Sequence, residues 1–213
     1  NLPISEQALG LYLRLGYIPR PYAMLQNTYA IEPGSWIDIT SQGVVKNVKY
    51  FVFPRSGNPQ LHGPEANEAC NAVITEAVRR QMRSDVPVGT FLSGGIDSPL
   101  VSAKLREATQ NPFKAFTIGT NLDNFDESPD ARQYAQEMGI DHIIKELTLD
   151  QLTDLLHDAV EACGEPFADN SIFPMLALSR LARDDVKVAL SGDGGDELFW
   201  GYACRLVSVM EHT

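Results

Sequence analysis

Val86-Pro-Val-Gly-Thr-Phe-Leu92 runs directly into Ser93-Gly-Gly-Ile-Asp-Ser98. The first seven residues form a short, mostly apolar run, as in a buried strand, and a helical pattern resumes from Ser98. A strand that ends in a glycine turn and re-enters as a helix is the building unit of a parallel sheet, because parallel neighbours need a crossover between them. Val186-Lys-Val-Ala-Leu190 has the same arrangement, followed by Ser191-Gly-Asp-Gly-Gly-Asp-Glu197 and another helix starting near Asp196.

The same alternation fills the chain between these two segments. A helix over Pro64 to Met82, with Ala69, Val73, Ala77 and Val78 as its apolar face, precedes the first strand. Strands are predicted over Phe113 to Ile118 and His142 to Leu147, and helices from Ser128, from Asp150 and near Pro174 to Arg183. The fold class is therefore α/β, a parallel sheet with helices on both faces. Upstream the rhythm differs. Ser5 caps a predicted helix that stops at Gly16, and Thr28 to Phe53 reads as a hairpin, with Trp36, Ile37 and Ile39, then Val44, Val45, Val48 and Tyr50 to Phe53 as strand residues. Residues 54–63, with two prolines and two glycines, read as a linker. The expected organisation is a helix-plus-hairpin extension, residues 1–63, packing on an α/β domain, residues 64–213.

In open parallel sheets ligands bind beyond the carboxyl ends of the strands, so the two glycine turns are where chemistry is expected. Gly94 and Gly95 let successive backbone N–H groups face an anion, and the helix that follows adds its positive end. Ser93 and Ser98 offer hydroxyls. A carboxylate such as Asp97 would repel phosphate unless a divalent cation lay between them, and Mg²⁺ prefers that mixture of oxygens. Gly89-Thr-Phe-Leu-Ser-Gly94 has P-loop spacing, but Gly95 stands where that motif needs lysine; Glu197 likewise stands where GxGxxG needs its last glycine. A plain capped turn needs one glycine and leaves Asp97 unexplained. Asp97 and Asp196 can share one metal if their strands are neighbours, with Asp193 and Glu197 adding carboxylate nearby.

Composition sets the outer limits. Lys plus Arg number 17 against 28 Asp plus Glu, a net charge of −11, which excludes a broad grip on nucleic acid. Apolar residues at 44% are enough for a core, yet no strictly apolar run exceeds four, against the roughly 20 a membrane helix requires. Cys70, Cys163 and Cys204 share no CxxC, and His62, His142, His157 and His212 share no ligand spacing with them. They read as idle thiols of a reducing cytosol, without a zinc site.

The two turns together resemble a known family. Ser93 to Ser98 (SGGIDS) is similar to the pyrophosphate-loop signature of the ATP pyrophosphatases, and Ser191 to Tyr202 (SGDGGDELFWGY) resembles the second signature of the synthetase domain of glutamine-hydrolysing asparagine synthetases. Tyr12 to Pro21, Glu32 to Gly34, Asp126 to Ser128, Gly139 to His142 and Glu165 to Ser171 agree in the same order. The resemblance implies an adenine-nucleotide α-hydrolase-like fold and an ATP-dependent, carbon–nitrogen ligase with glutamine as amide donor. Aspartate would be adenylated with release of pyrophosphate, and ammonia would displace AMP. By the same resemblance Leu92, Ile118, Ser191 and Gly192 hold the nucleotide, Ser93, Gly94, Gly95 and Ser98 cradle pyrophosphate, and Asp97 and Asp196 ligate Mg²⁺. Asp193 takes the catalytic position, tied to forming or consuming the acyl-adenylate. Small-molecule substrates, a cytoplasmic setting and a homodimer are the implied context.

Three departures matter. Pro99 replaces a usual Ser or Thr and loses one hydroxyl, though the first helical turn tolerates it. Trp200 stands where a small residue is common. Asp193 stands where asparagine synthetases proper often carry Glu, a variant that by the same resemblance also occurs in relatives amidating other acceptors. The family's N-terminal glutaminase domain, with its N-terminal Cys, and its C-terminal helices, with a catalytic Lys, have no counterpart between Asn1 and Thr213. The chain is thus expected to be a fragment, truncated at its C-terminus. A nucleotide-binding module without turnover is the third reading, beside asparagine synthetase and another amide synthetase.

Overall fold

A computed structural model describes residues 2–54, 60–121, 126–199 and 201–202. Contacts between residues divide the chain into two compact units, one of residues 1–60 with 156–172 and one of residues 61–155 with 173–213.

The first unit opens with α1 (Glu6–Leu15), whose ends are written in the sequence. The Ser5 hydroxyl accepts the Ala8 N–H, and Gly16, at φ +79°, lets its own N–H return to the Tyr12 carbonyl. β1 (Ser35–Thr40) and β2 (Gly43–Lys49) form the expected antiparallel hairpin. Tyr50 to Phe53, predicted to extend β2, do not. Pairing ends at Ser35 opposite Lys49, and the Tyr50 and Phe51 N–H groups both turn onto the Gly34 carbonyl, leaving the run exposed. The Ala168 N–H donates to the Gly16 carbonyl at 2.8 Å, one of the distant contacts that bring 156–172 into this unit. That unit thereby takes α6 (Leu156–Cys163), and the helix expected from Asp150 is broken into two.

The second unit is the α/β part. It contains α2 (Gly63–Gln81), β3 (Val88–Phe91), α3 (Asp97–Ala108), β4 (Lys114–Thr120), α4 (Ser128–Met138), β5 (Asp141–Leu147), α5 (Leu149–Asp154), α7 (Ile172–Arg183), β6 (Val188–Leu190) and α8 (Gly195–Phe199). Its four strands are all parallel, in the order β5-β4-β3-β6.

Successive residues of a strand face opposite sides, and β4 shows the consequence. Ala115 joins Leu92 and the Ala131 and Ala135 face of α4. Phe116, fully buried, packs against Leu178 and Ala182 of α7 and Val186, so its loss would cost about 3–5 kcal/mol. Val78 of α2 and Leu105 of α3 cover Leu190, whereas Ile118 and Leu147 lie under Leu152, Leu155 and Ala177. Helices therefore cover both faces. The strands advance from β3 to β5 with α3 and α4 on one face, then return past β3 to β6 with α5 and α7 on the other, as right-handed crossovers require.

The buried side of α2 differs from the expected one. Val78 is buried, but Val73 is 69% exposed and Ala77 is exposed too. The inward stripe runs Ala66, Cys70, Ile74, Val78 and Met82, every fourth residue, with Ala69 beside it. Cys204, His212 and Trp200 lie outside the described residues.

Candidate functional site

The order β5-β4-β3-β6 reverses direction between β3 and β6, and at such a switch point the two departing turns leave a crevice. Val88 pairs with Val188 and Thr90 with Leu190, so the turns after β3 and β6 emerge side by side. Both predicted turns thus open onto one edge of one sheet.

In the first turn the Leu92 N–H still donates to the Phe116 carbonyl at 3.0 Å, which holds the start of the turn to the sheet. The Ser98 hydroxyl accepts the Ser93 N–H and meets the Ser93 hydroxyl, both at 2.8 Å. The Gly95 N–H donates to the Ser93 hydroxyl at 3.2 Å. Asp97 then opens α3, and its carboxylate lies within the first turn of that helix. At Gly94 a side chain would meet Cβ of both Glu127 and Asp130 at 3.1 Å.

In the second turn the Ser191 hydroxyl donates to the Asp193 carboxylate at 3.0 Å, and Gly194 turns the chain at φ +90°. The glycines here answer a packing demand. A Cβ on Gly192 would lie 2.7 Å from the Ser98 nitrogen and 2.8 Å from Cβ of Asp97; one on Gly195 would lie 2.7 Å from Oδ1 of Asp97. The backbone of the second turn thus rests on Asp97 with nothing between. Asp196 follows Gly195 in α8, its carboxylate beside Gly201, and the Tyr202 hydroxyl donates to Glu197 at 2.7 Å.

Leu92, Ser93, Gly94, Gly95, Asp97 and Ser98 therefore lie at the same strand ends as Ser191, Gly192 and Asp193, and Asp196 follows on α8 with its carboxylate beside Gly201. Ile118 lies on β4, with its side chain in the cluster under Leu155 and Ala177, while the Leu92 side chain lies on the opposite face. These two side chains thus do not share a face of the sheet. A hollow of about 210 Å³ lies between Asp97, Leu100, Ser191, Asp193, Leu198 and α2. A larger one of about 380 Å³, lined by Val86, Phe113, Lys114 and Asp185, sits at the amino ends of the strands, the end where ligands of such sheets do not bind. Among the described residues no group of three or more His, Cys, Asp or Glu side chains converges as a metal cage.

A third turn, after β4, was visible only as the tripeptide Asp126-Glu-Ser128. Its signal was a carboxylate pair at one more strand-to-helix junction on the same sheet. Asp126 accepts from the Thr120 N–H (3.2 Å), the Ser128 N–H (3.1 Å) and the Ser128 hydroxyl (3.0 Å). Burial alone would raise its pKa, but these donors and the Arg132 guanidinium outweigh burial and hold it below the usual carboxylate range. Next to it, the Glu127 carboxylate accepts the Gly94 N–H at 3.1 Å. Sequence alone assigned neither residue a role.

The sequence profile of the asparagine synthase family matches residues 69–212, which include all three turns. The chain belongs to the asparagine synthase family. An asparagine synthetase homologue of Methanocaldococcus jannaschii is 36% identical over 208 residues, covering 95% of this chain and 39% of its own. The glutamine-hydrolysing asparagine synthetase 1 of Bacillus subtilis is 32% identical over 203 residues, covering 95% of this chain and 32% of its own. The chain thus spans about a third of the length of these relatives. Among solved structures, the glutamine-dependent NAD+ synthetase of Acinetobacter baumannii in complex with ADP superposes with a TM-score of 0.47 at 23% identity, over 78% of this chain and 31% of that one. No described helix of this asparagine synthase family member is long and apolar enough to cross a membrane.

Proposed function

We propose that the polypeptide carrying this chain is an ATP-dependent amide-forming ligase that adenylates the side-chain carboxylate of aspartate and passes the acyl group to ammonia drawn from glutamine. The observation that carries the reading is the adjacency of β3 and β6, which sets SGGIDS beside SGDGGDE with Asp97 against Gly192 and Gly195. Membership of the asparagine synthase family supports the same reaction class.

In this reading Ser93, Gly94, Gly95 and Ser98 bind the phosphates that become pyrophosphate, and Leu92, Ile118, Ser191 and Gly192 hold the nucleotide. A carboxylate is a poor electrophile until one of its oxygens becomes a leaving group. The aspartate oxygen attacks the α-phosphorus, and the bridging oxygen departs with pyrophosphate. Ammonia then attacks the acyl carbon, AMP leaves, and the nitrogen gives up a proton. In this reading Asp193, whose carboxylate accepts the Ser191 hydroxyl at 3.0 Å, takes that proton.

Asp97 and Asp196 are the metal ligands of this reading. Carboxylates on adjacent turns are the oxygen donors Mg²⁺ prefers, and among the described residues no group of three or more His, Cys, Asp or Glu forms an all-protein cage. When bound, Mg²⁺ supplies positive charge against the phosphate charge that builds up during the attack.

One observation favours a second reading. Asp193 is one methylene shorter than glutamate, which leaves room for a carboxylate acceptor other than aspartate. Assays of pyrophosphate release by the full-length protein separate the two, with aspartate and other carboxylates offered in turn. Release stimulated by aspartate is expected; stimulation only by another acid transfers the proposal to the second reading. Asp193→Asn is expected to keep ATP affinity within about twofold and lose most acceptor-dependent release, the pattern of a group that acts in the transition state. An Asn variant that turns over like its parent would reduce Asp193 to a turn residue, since Asn and Asp serve such turns about equally well.

A further inference from the structure

Three N–H groups at the start of the first turn already have acceptors. Ser93 gives its N–H to the Ser98 hydroxyl, Gly95 gives its own to the Ser93 hydroxyl, and Gly94 gives its own to the Glu127 carboxylate. Two of these acceptors are neutral and belong to the turn itself. The third is an anion delivered from 33 residues away, at the entry to α4. Glu127 occupies the N-cap position of that helix, yet its side chain makes no capping bond, so helix capping does not explain it. Gly94 has no room to retreat, because Glu127 and Asp130 crowd the place its Cβ would take.

A backbone N–H has one hydrogen. If the turn binds phosphate, the Gly94 N–H must choose between a phosphate oxygen and Glu127, and the two anions also repel each other. We infer that Glu127 is a positioning residue that competes with phosphate for the Gly94 N–H, keeping that donor aimed outward and weakening the grip on pyrophosphate so that this product can leave. The inference rests on the phosphate reading of SGGIDS and adds to it a residue that limits product affinity. Among the described residues no group of three or more metal-binding side chains converges, so Glu127 does not complete a carboxylate cage around Asp97.

The test uses the full-length protein and inorganic pyrophosphate, titrated calorimetrically at fixed Mg²⁺ into the parent, Glu127→Gln and Glu127→Ala. Glutamine keeps the shape and an acceptor oxygen without the charge; alanine removes both. Both variants are expected to bind pyrophosphate about tenfold more tightly, the scale of one charge-assisted hydrogen bond. The KM for ATP is expected to fall, with kcat held or lowered by slower product release, a split that loss of structure alone would not produce. Unchanged or weaker pyrophosphate binding in both variants, with the parent binding normally, overturns the role of Glu127 and leaves the phosphate turn standing. Failure of the parent itself to bind pyrophosphate or ATP overturns both.

Discussion

Thr117 Oγ1 lies 2.6 Å from the Leu92 carbonyl and 2.7 Å from His142 Nε2. A carbonyl can only accept, so the threonine proton goes to Leu92 and the His142 ring must donate from Nε2. That leaves Nδ1 bare, buried and without a hydrogen-bond partner among the described residues. Protonating it would bury an unpaired N–H. Burial first, and then the Arg132 charge, accordingly push the His142 pKa below its ordinary value, against a smaller opposite pull from Asp141. The sign of the linkage follows. Above about pH 6.5 the imidazole is neutral both folded and unfolded; below it the unfolded chain binds the proton first, so stability falls as pH drops towards the lowered folded value. Urea unfolding of the parent and His142→Gln between pH 8 and pH 5 is expected to show it. Glutamine keeps a donor but does not titrate, so the parent should lose more stability on acidification than the variant. Parallel curves would remove His142 from the acid response. The sequence offered no sign of this chain of bonds, because its members come from β4, β5 and the turn that follows β3.

The glycines of the second turn show what an element demands of its neighbour. Their local meaning, a tight strand-to-helix turn, was readable from the sequence. Their closeness to Asp97 was not, since it depends on β3 lying next to β6. The two positions differ in what a methyl group would strike. At Gly192 it meets the backbone of Asp97 and Ser98, which cannot move without shifting α3; at Gly195 it meets the carboxylate end of Asp97, which can rotate away. Gly192→Ala is therefore expected to destabilise the fold by about 1–3 kcal/mol, whereas Gly195→Ala should cost less stability but displace Asp97 and lower ATP-dependent pyrophosphate release. Unfolding curves beside turnover assays check the pair, and equal effects of both on stability would contradict the geometry. The hairpin and α2 teach the same lesson. An apolar run such as Tyr50 to Phe53 satisfies strand composition but has no partner beyond Ser35, and the burial of α2 is set by the helix and strand it covers rather than by its most apolar stripe.

At the scale of the molecule, a net charge of −11 makes the chain a poor host for a polyanion, and Asp97, Asp193, Asp196 and Glu197 concentrate that charge around the two turns. ATP binding is thus expected to be weak without divalent cation. Calorimetric titration at matched ionic strength should give an affinity at least about tenfold higher with Mg²⁺ than with EDTA, the equivalent of some 1.4 kcal/mol. Equal affinity in both buffers would contradict a cation shared between the phosphates and Asp97 and Asp196.

Short-range rules were enough to place the four parallel strands, the helix caps at Ser5 and Gly16, and the two turns with their serines and aspartates, because turn chemistry and hydrophobic period depend on residues only a few positions apart; they overran at Tyr50 to Phe53. The strand order β5-β4-β3-β6, the closure of Gly192 and Gly195 on Asp97, the contact of Glu127 with Gly94 and the joining of residues 156–172 to the first unit were decided only by tertiary structure. Each of these pairs groups whose separation along the chain carries no local pattern. Which strand becomes the neighbour of β3 depends on how every crossover packs its helix, and that is a property of the assembled sheet.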